Sequence, residues 1–469
     1  MPERLPDIVL VVFDTARWDR FGCYGYERPT TPTVDGLARD GLRVDTMIAN
    51  GPWTMPSHGS LFTGLYPTQH GSQWQTGPRM RDRVQVTLAG WLRTLGYHTI
   101  CATNNGLISD KTRLSEGFDR YAFRLDLERG RRRISRRVKK VLMGGDSGGR
   151  VTNRWIREQL RDVRQPTFLF VNYLECHWAY APPRRFERRV GGDRFGFLEG
   201  ARYRATLART AGPWEAIARA DERTLGVYSS LYDGELANAD DHLRELIDIL
   251  TESGRFRDGE TLLIVTSDHG EHVGEHGLAD HHASLDEHLT RVPFVAYGPG
   301  IVPSGVERSL FEFVDVLPSI AHLLGHEVPV AELERRRSWL FANGVGPHED
   351  ADGVAFSEWR AWNDKERKRL ADRNPAYDFS GLANDLVAAR TSRFKLVRSS
   401  DGSEALYDLE TDPGESRDVR EIHPDETRRL RERLERAVID WTTWEGDETE
   451  ISDAEKLEIE QRLAELGYI

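Results

Sequence analysis

A short acidic and histidine-rich stretch carries most of the side chains in this sequence that could do chemistry. Residues 261–267 are apolar and β-branched, which indicates a buried strand, and they lead directly into Asp268-His269-Gly270. A carboxylate beside an imidazole, at a strand end where glycine lets the chain turn, is typical of a metal-binding corner. From these residues alone, a polar, histidine-rich surface loop is an equally good interpretation. Four more histidines follow in the next segment: His272, His276, His281 and His282.

A second carboxylate follows another apolar run near the start of the chain. Residues 8–13 read Ile-Val-Leu-Val-Val-Phe and are followed by Asp14. Two buried strands that each end in aspartate indicate a parallel sheet, whose ligands bind beyond the carboxyl ends of the strands. Asp14 and Asp268 are therefore predicted to converge on one cation. The alternative for Asp14 alone is a helix N-cap.

A candidate nucleophile lies in a segment interrupted by prolines. Residues 51–56 contain one glycine and two prolines, so the chain is predicted to be irregular there. Ser57 is predicted to cap a helix that starts near His58 and ends near Gly64. A helix N-terminus attracts anions, so Thr54, just before it, is well placed to attack an anionic ester. The alternative is a turn with a solvated threonine.

The elements that must position these residues alternate between helix and strand. This alternation predicts an α/β fold. His177 comes just after a predicted strand, so it is expected at the same carboxyl ends of the strands as Asp14 and Asp268. A lone histidine is usually structural, but this position favours a functional role. The predicted helices cover residues 33–41, 86–95, 232–250 and 314–325, and the further predicted strands cover 97–103, 166–174 and 292–297.

The pattern changes near residue 346 to short strands and charged helices. A chain of 469 residues is too long for one small core. We therefore predict a large catalytic domain at residues 1–345 and a smaller α+β domain at 346–469. In the smaller domain, strands are predicted at 353–358, 386–391 and 394–398, a strand running into a turn at 405–415, and helices at 425–441 and 453–466.

Composition narrows the class of protein. With 76 acidic and 64 basic residues the formal charge is −12, which argues against a general nucleic-acid binder. The three cysteines are far apart and indicate buried thiols in a reducing compartment. No secretory signal is visible, and no apolar run approaches the roughly 20 residues of a membrane helix. These features predict a cytoplasmic protein without a nucleic-acid partner.

One strongly basic segment stands apart from this acidic balance. From Arg131 to Lys140 the sequence reads Arg-Arg-Arg-Ile-Ser-Arg-Arg-Val-Lys-Lys, and a glycine-rich run follows. A basic amphipathic helix with a flexible loop could dock an anionic polymer or phospholipid head groups. A solvated insertion balanced by acidic neighbours is the favoured interpretation.

Seven motifs, taken in order, make the sequence resemble the sulfatase family of the alkaline-phosphatase superfamily. Each motif is weak alone, but their order and spacing are specific, and they span nearly the whole chain. The resemblance implies an alkaline-phosphatase-like mixed, mostly parallel sheet between helices, with a small C-terminal sheet domain. The motifs lie at residues 14–25, 53–64, 177–180, 267–270, 314–319, 406–415 and 462–468.

The resemblance also implies roles for individual residues. Thr54 would be the nucleophile, His177 would contact the ester or assist the leaving group, and His281 would be a basic residue facing the ester. The implied substrate-binding residues are Arg17, His58, Asn104 and His282. The implied ligands of one divalent metal ion are Asp14, Thr54, Asp268 and His269.

The sequence departs from the family pattern at the nucleophile. Sulfatases carry cysteine or serine there, oxidised to formylglycine, and threonine cannot become that aldehyde. Threonine nucleophiles and Asp-His metal pairs are instead features of the superfamily's phosphate-ester hydrolases and phosphotransferases. The other departures are Thr15 for an aspartate, His58 for an arginine, Asn104 and Gly106 for a lysine and a histidine, and His269 for an asparagine.

The sequence therefore predicts a metal-dependent hydrolase of a small anionic ester. A sulfate or a phosphate ester fits the family, and the site residues favour a phosphate mono- or diester. An imidazole ligand suits manganese or zinc better than an all-oxygen calcium site, and magnesium or calcium remain alternatives. Two other functions stay open, namely phosphotransfer to an alcohol acceptor and non-catalytic anion binding on the same fold.

Overall fold

The computed structural model describes residues 5–73, 79–123, 144–163, 166–191, 200, 202–204, 206, 212–329 and 353–442. The basic segment from Arg131 to Lys140, the predicted helix at 453–466, the motif at 462–468 and the proposed domain boundary at 345/346 lie outside these residues. The strands are β1 Asp7–Phe13, β2 Leu42–Ile48, β3 His98–Thr103, β4 Arg120–Phe123, β5 Thr167–Tyr173, β6 Thr261–Thr266, β7 His272–Val273, β8 Ala279–Asp280, β9 Arg291–Tyr297, β10 Gly305–Glu312, β11 Ala355–Trp359, β12 Leu386–Arg390, β13 Phe394–Ser399 and β14 Glu404–Asp408.

An eight-stranded sheet forms the core, with its strands in the order β10-β2-β9-β6-β1-β5-β3-β4. Strand β9 is antiparallel to both of its neighbours, and the other neighbouring pairs of this sheet are parallel. The apolar side chains of β1, β5 and β6 are buried, as expected for strands covered on both faces. The predicted mixed, mostly parallel sheet is confirmed. The parallel strands place Asp14, Asn105, His177 and Asp268 on the same side of the sheet, just beyond the carboxyl ends of the strands.

Helices cover the sheet and link its strands. The longest, α8, begins ten residues before the predicted start because Asp221 caps it, accepting the backbone N–H of Thr224 at 2.8 Å. The helices are α1 Pro32–Asp40, α2 Thr54–Thr63, α3 Pro67–His70, α4 Leu88–Thr94, α5 Gly149–Gln159, α6 Arg184–Gly191, α7 Pro213–Ala218, α8 Glu222–Glu252, α9 Glu287–Thr290, α10 Val316–Leu323, α11 Asp364–Arg373 and α12 Pro424–Thr442. None of the described helices combines the length and the apolar character that a membrane crossing requires.

A small antiparallel sheet, β11-β12-β13-β14, follows the large one, as predicted. Leu430 and Leu434 of α12 are buried against Leu396 and Leu406 of this sheet. Asn50 links it to the main sheet, since its backbone carbonyl accepts the N–H of Glu358 at 2.9 Å. The C-terminal unit is therefore joined to the chain segment that leads into α2. The three cysteines are free thiols; Cys101 and Cys176 are buried, whereas Cys23 is only half-buried.

The predicted start of helix α2 is wrong. The helix begins at Thr54, with Trp53 as its N-cap, and not near His58. Pro56 lies in the first turn, where its missing N–H would have had no partner within the helix. Ser57 is not a cap, because its hydroxyl donates to the backbone carbonyl of Asp268. The proline that suggested an irregular segment is thus compatible with the first turn of a helix.

His70 holds the middle of α2 in place. Its Nδ1 accepts the backbone N–H of Ser72 at 3.1 Å, so the proton is on Nε2, which lies 3.1 Å from the carbonyl oxygen of Pro56. A Cβ on Gly59 would come within 2.4 Å of this ring, which explains the glycine. The site fits only a neutral imidazole, and burial lowers the pKa of His70 to about 3.

The substitution His70→Gln should make the fold less sensitive to acid. Below a pKa of 6.5 the unfolded chain binds a proton that the folded chain does not, so stability falls as the pH falls. Between pH 7 and pH 5, wild type should lose about 2 kcal/mol more unfolding free energy than His70→Gln, as measured by urea unfolding. The exposed His326→Gln is the control and should behave as wild type. An equal loss in wild type and His70→Gln would contradict this role.

Candidate metal and ester site

Two aspartates and a histidine meet where β1 and β6 end. Potential ligand atoms of Asp14, Asp268 and His269 all lie within 4.8 Å of one another, and the three residues are fully buried. Asp14 Oδ1, Asp268 Oδ2 and His269 Nε2 make no hydrogen bond to the described part of the chain. The residues predicted to converge from distant parts of the sequence are therefore brought together. We call this group the metal corner.

The second polar atom of each of these side chains is held in place by hydrogen bonds. Asp14 Oδ2 accepts side-chain N–H groups from Asn105 at 2.8 Å and Asn172 at 3.0 Å. Asp268 Oδ1 accepts the backbone N–H of Thr15 and that of His269, both at 3.0 Å. His269 Nδ1 lies 2.9 Å from the carbonyl oxygen of Gly270, which places its proton on Nδ1. Each side chain thus keeps one acceptor atom for a shared ligand, as metal ligands do.

The electrostatics of the corner also fit a cation. Burial raises the pKa of Asp14 to about 7, and the charge of Asp268 adds to this rise. Burial opposes ionisation of Asp268 too, but the His269 and His58 rings and the N–H of Thr15 hold its pKa below the usual range. Two buried carboxylates side by side are costly unless a positive charge compensates them. The nitrogen and oxygen ligands suit manganese or zinc.

Gly270 is required here by crowding. A Cβ at this position would lie 1.8 Å from the carbonyl oxygen of His288 and 3.2 Å from Cγ of Arg17. The Gly270 N–H donates to the carbonyl oxygen of Leu289 at 2.8 Å. The glycine therefore lets the strand that begins near residue 290 pack against the metal corner.

Thr54 lies next to this corner at the first position of α2. Its Oγ1 accepts an N–H of Asn105 at 3.2 Å, and the same amide nitrogen donates to Asp14. Both Thr54 and the corner face the N-terminal end of the helix, where the helix dipole favours an anion. This position is suited to a hydroxyl that attacks an anionic group.

Asn105 was missed by the sequence analysis. The family resemblance places Asn104 and Gly106 at substrate positions, whereas in the fold Asn104 Oδ1 accepts the Thr152 hydroxyl proton at 2.6 Å. The signal was available, because two asparagines directly follow β3, two strands away from β1 in the sheet. The register of the strands decides which of the two reaches Asp14. A substrate contact of Asn104 stays a prediction.

His58 lies behind Thr54 and is fully buried. Its Nδ1 is 2.9 Å from the carbonyl oxygen of Thr54 and 3.5 Å from Asp268 Oδ2, and its ring packs against Phe62 and Phe170. Burial lowers the pKa of His58. These contacts support a role in positioning Thr54 and Asp268, and the substrate contact predicted for His58 stays a prediction.

Three predicted histidines cluster beside His269. The His281 ring lies 4.4 Å from the His269 ring, 4.6 Å from His282 and 5.3 Å from His177, measured between centroids. His282 is surrounded by indole rings, with centroids at 5.2 to 5.8 Å, and burial lowers its pKa to about 4. The sequence therefore identified a group that the fold assembles next to the metal corner. The three indole rings belong to Trp53, Trp359 and Trp362.

The surroundings shift the pKa of His281 and the pKa of His177 in opposite directions. Burial opposes a charged His281, but its Nδ1 is 2.7 Å from Asp280 and 3.5 Å from Glu271, and these carboxylates raise its pKa well above the usual value. Burial lowers the pKa of His177 to about 3, and His281 adds to this effect. The surroundings therefore favour a protonated His281 beside a neutral His177.

Arg17 is engaged elsewhere. Its guanidinium bonds Asp19 at 2.8 and 2.9 Å and Glu275 at 2.5 Å, and it also reaches the carbonyl oxygen of Glu271 at 3.3 Å. The structure does not bring this group to Thr54 in any of these contacts. The role of Arg17 in substrate binding stays a prediction.

Comparisons with known proteins agree with the motifs. A family model described as Sulfatase matches residues 6–326. The sulfatase YidJ of Escherichia coli (strain K12) is 23% identical over 87% of this chain and 82% of that protein. An ulvan-active sulfatase of Formosa agariphila is 23% identical over 94% of this chain and 81% of its own length. The phosphonate monoester hydrolase of Agrobacterium radiobacter shares the fold, with a TM-score of 0.70, 20% identity, and coverage of 93% and 96% of the two chains.

Asn105→Ala should weaken cation binding at the metal corner. The substitution removes the N–H that orients both Asp14 and Thr54, and losing such an orienting partner typically costs about 10–100-fold in metal affinity. Calorimetric titration of metal-free protein with Mn²⁺ measures the change. The neighbouring Asn104→Ala, which removes only the bond to Thr152, should stay within a few fold of wild type. Equal effects of the two substitutions would refute the assignment of Asn105.

Proposed function

We propose that this chain, which belongs to the sulfatase family, cleaves a phosphate mono- or diester with the hydroxyl of Thr54 as its nucleophile. Membership makes the chain an ester hydrolase of the sulfatase class. The observation that carries the proposal is the position of Thr54, at the first residue of a buried helix, linked through one amide group to Asp14.

The chemistry of threonine favours phosphorus over sulfur. In the sulfatases that this sequence resembles, an aldehyde hydrate expels bound sulfate by elimination, and a secondary alcohol cannot give that aldehyde. A phosphoryl group on threonine can instead be removed by direct attack of water. The phosphonate monoester hydrolase that shares the fold is named for a phosphorus ester, which supports the same choice.

The cation and the helix prepare the nucleophile. Asp14, Asp268, His269 and Thr54 would hold one divalent ion, with manganese or zinc the best fit to the imidazole. When bound, such an ion supplies Lewis-acid chemistry, namely a lower hydroxyl pKa and neutralised ester oxygens. The N-terminus of α2 adds positive potential at the same place. With the ion bound, the Thr54 hydroxyl would lose its proton to water and attack the ester as an alkoxide.

The reaction proceeds in two displacements. The Thr54 oxygen attacks phosphorus in line, the bond to the alcohol breaks, and His281 gives the departing oxygen its Nε2 proton. A water molecule then attacks phosphorus and gives one proton back to His281, and the bond to Thr54 breaks. Free phosphate, or a phosphate monoester from a diester, is released.

Geometry supports His281 rather than His177 as the acid. Asp280 and Glu271 both contact Nδ1 of His281, so they hold the ring charged while its far nitrogen carries the proton to be transferred. His177 is neutral and lies beside it, with its Nδ1 3.0 Å from the Trp178 carbonyl oxygen. His177 therefore fits a contact to the ester group.

Thr54→Ala should abolish phosphate-ester turnover, since the loss of a nucleophile typically lowers kcat by about 10³–10⁶-fold. The assay compares an aryl phosphate monoester, an aryl phosphate diester and an aryl sulfate, each in manganese, zinc, magnesium and calcium. Wild type should be fastest on a phosphate ester, and mass spectrometry of quenched reactions should find a phosphoryl group on Thr54. Thr54→Ser is the matched control and should retain turnover.

Other results would point elsewhere. Turnover of sulfate alone would contradict the phosphorus preference. Glycerol phosphate formed in added glycerol, in place of free phosphate, would mean phosphotransfer. Ligand binding without any turnover would favour the binding-protein function.

His281→Gln should affect poor leaving groups most. An alkyl oxygen needs a proton when it departs, whereas a nitrophenolate does not. We expect a loss of about 10²–10⁴-fold on an alkyl phosphate and a much smaller loss on nitrophenyl phosphate. His177→Gln is the comparison and should lower both rates by a similar factor. If His281→Gln slows both substrates equally, His281 is not the acid.

A further inference from the structure

We propose that the chain has a second cation site, formed by His272, Asp286 and His288. Potential ligand atoms of these three residues lie within 4.8 Å of one another, and none of the three belongs to the metal corner. The proposed function makes no use of them. The ligand is a zinc-like divalent ion, as the following contacts indicate.

His272 is the main evidence, because its side chain is fully buried and has no hydrogen bond. Neither Nδ1 nor Nε2 has a hydrogen-bond partner in the described part of the chain, and Asp286 Oδ2 has none either. His272 Nε2 nevertheless lies only 3.3 Å from that oxygen. The two atoms are in ion-pair contact without hydrogen-bond geometry, and this separation is compatible with two ligands of one ion. A buried polar group without a hydrogen bond is unfavourable, so a ligand there would be stabilising.

The 3.3 Å between His272 Nε2 and Asp286 Oδ2 matches the spacing of two ligand atoms in a tetrahedral metal site. Bonds of 2.0–2.1 Å from zinc to nitrogen or oxygen put neighbouring ligand atoms about 3.3 Å apart. His288 adds a third buried ligand atom, Nδ1, which also has no hydrogen-bond partner among the described residues. The His276 Nε2 lies 3.7 Å from Asp286 Oδ2, and its side chain is 34% exposed. His276 therefore stands on the open side, where it can complete the coordination.

The charges around the cluster favour a cation. Arg17 acts electrostatically on His272 and His288, and its charge is matched by two carboxylates, Asp19 and Glu275. Lys395 is matched by Glu415 at 2.9 Å. The negative charge of Asp286 therefore remains to attract a positive ion. Imidazole ligands with one carboxylate select zinc over calcium or magnesium.

The site would also clamp the segment that carries the catalytic histidines. His272 lies on β7, before this segment, whereas Asp286 and His288 lie after β8, at the start of α9. A bound ion would join the two ends of residues 272–288, which include His281 and His282. Its role is structural, since it fixes the position of His281 from outside the ester site.

Metal stoichiometry tests the site without any activity assay. Full-length protein is stripped with a chelator, titrated with Zn²⁺ by calorimetry, and its bound metal is measured after dialysis. Wild type should bind two equivalents. His272→Gln and His288→Gln should each lose one of them or weaken it at least tenfold. Asp268→Asn should lose the other, and the exposed His326→Gln should keep both.

The variants also separate this site from the metal corner. The proposal is supported if Asp268→Asn still binds one equivalent of metal. Co²⁺ bound to this variant in place of Zn²⁺ should then show the visible absorption of tetrahedral coordination by His272, Asp286 and His288. His272 is buried, so His272→Gln could misfold. His288 is partly exposed, so His288→Gln tests the same site with less risk to the fold. Circular dichroism checks that both variants are folded. A single equivalent in wild type that Asp268→Asn removes would overturn the proposal, as would two equivalents retained in both histidine variants.

Discussion

The structure depends on the burial of two carboxylates side by side. Asp14 and Asp268 are both 0% exposed, and neither forms an ion pair with an arginine or a lysine among the described residues. In the protein interior such a pair is unfavourable unless a cation or a proton compensates it. The amides of Asn105 and Asn172 and the backbone N–H groups at Asp268 reduce the cost but carry no charge. The corner is thus prepared to receive a positive ion.

The central sheet is the reason that these groups can meet. Strand β1 pairs in parallel with β5 on one side and β6 on the other, and each strand ends in a residue that faces the same edge. Because the strands are rigid and apolar, the side chains beyond their ends are held in fixed positions. Helix α2 then presents Thr54 to that edge, with His58 and the Ser57 hydroxyl tying the helix to Asp268.

Much of this was predictable, because the hydrophobic runs define the strands and the residues that follow them. The convergence of Asp14 and Asp268 followed from that rule. The position of Asn105 did not, because choosing between two adjacent asparagines requires the register between β3 and β5. The start of α2 was also misplaced, since Pro56 reads as a break in the sequence but occupies a first turn. The sequence therefore identified the residue types of the site, but not the features that depend on a shift of one or a few residues.

The histidines that follow the metal corner divide into two groups with different environments. His281 contacts the carboxylates of Asp280 and Glu271, which favour its charged form, as the proposed acid requires. His272 lies 3.3 Å from Asp286 and forms no hydrogen bond to the described residues, which fits the proposed role as a cation ligand. The two groups share one segment, and the carbonyl oxygen of His288 touches the position where Gly270 would carry a Cβ. An ion held by the second group would therefore fix both the backbone of the metal corner and the segment that bears the acid.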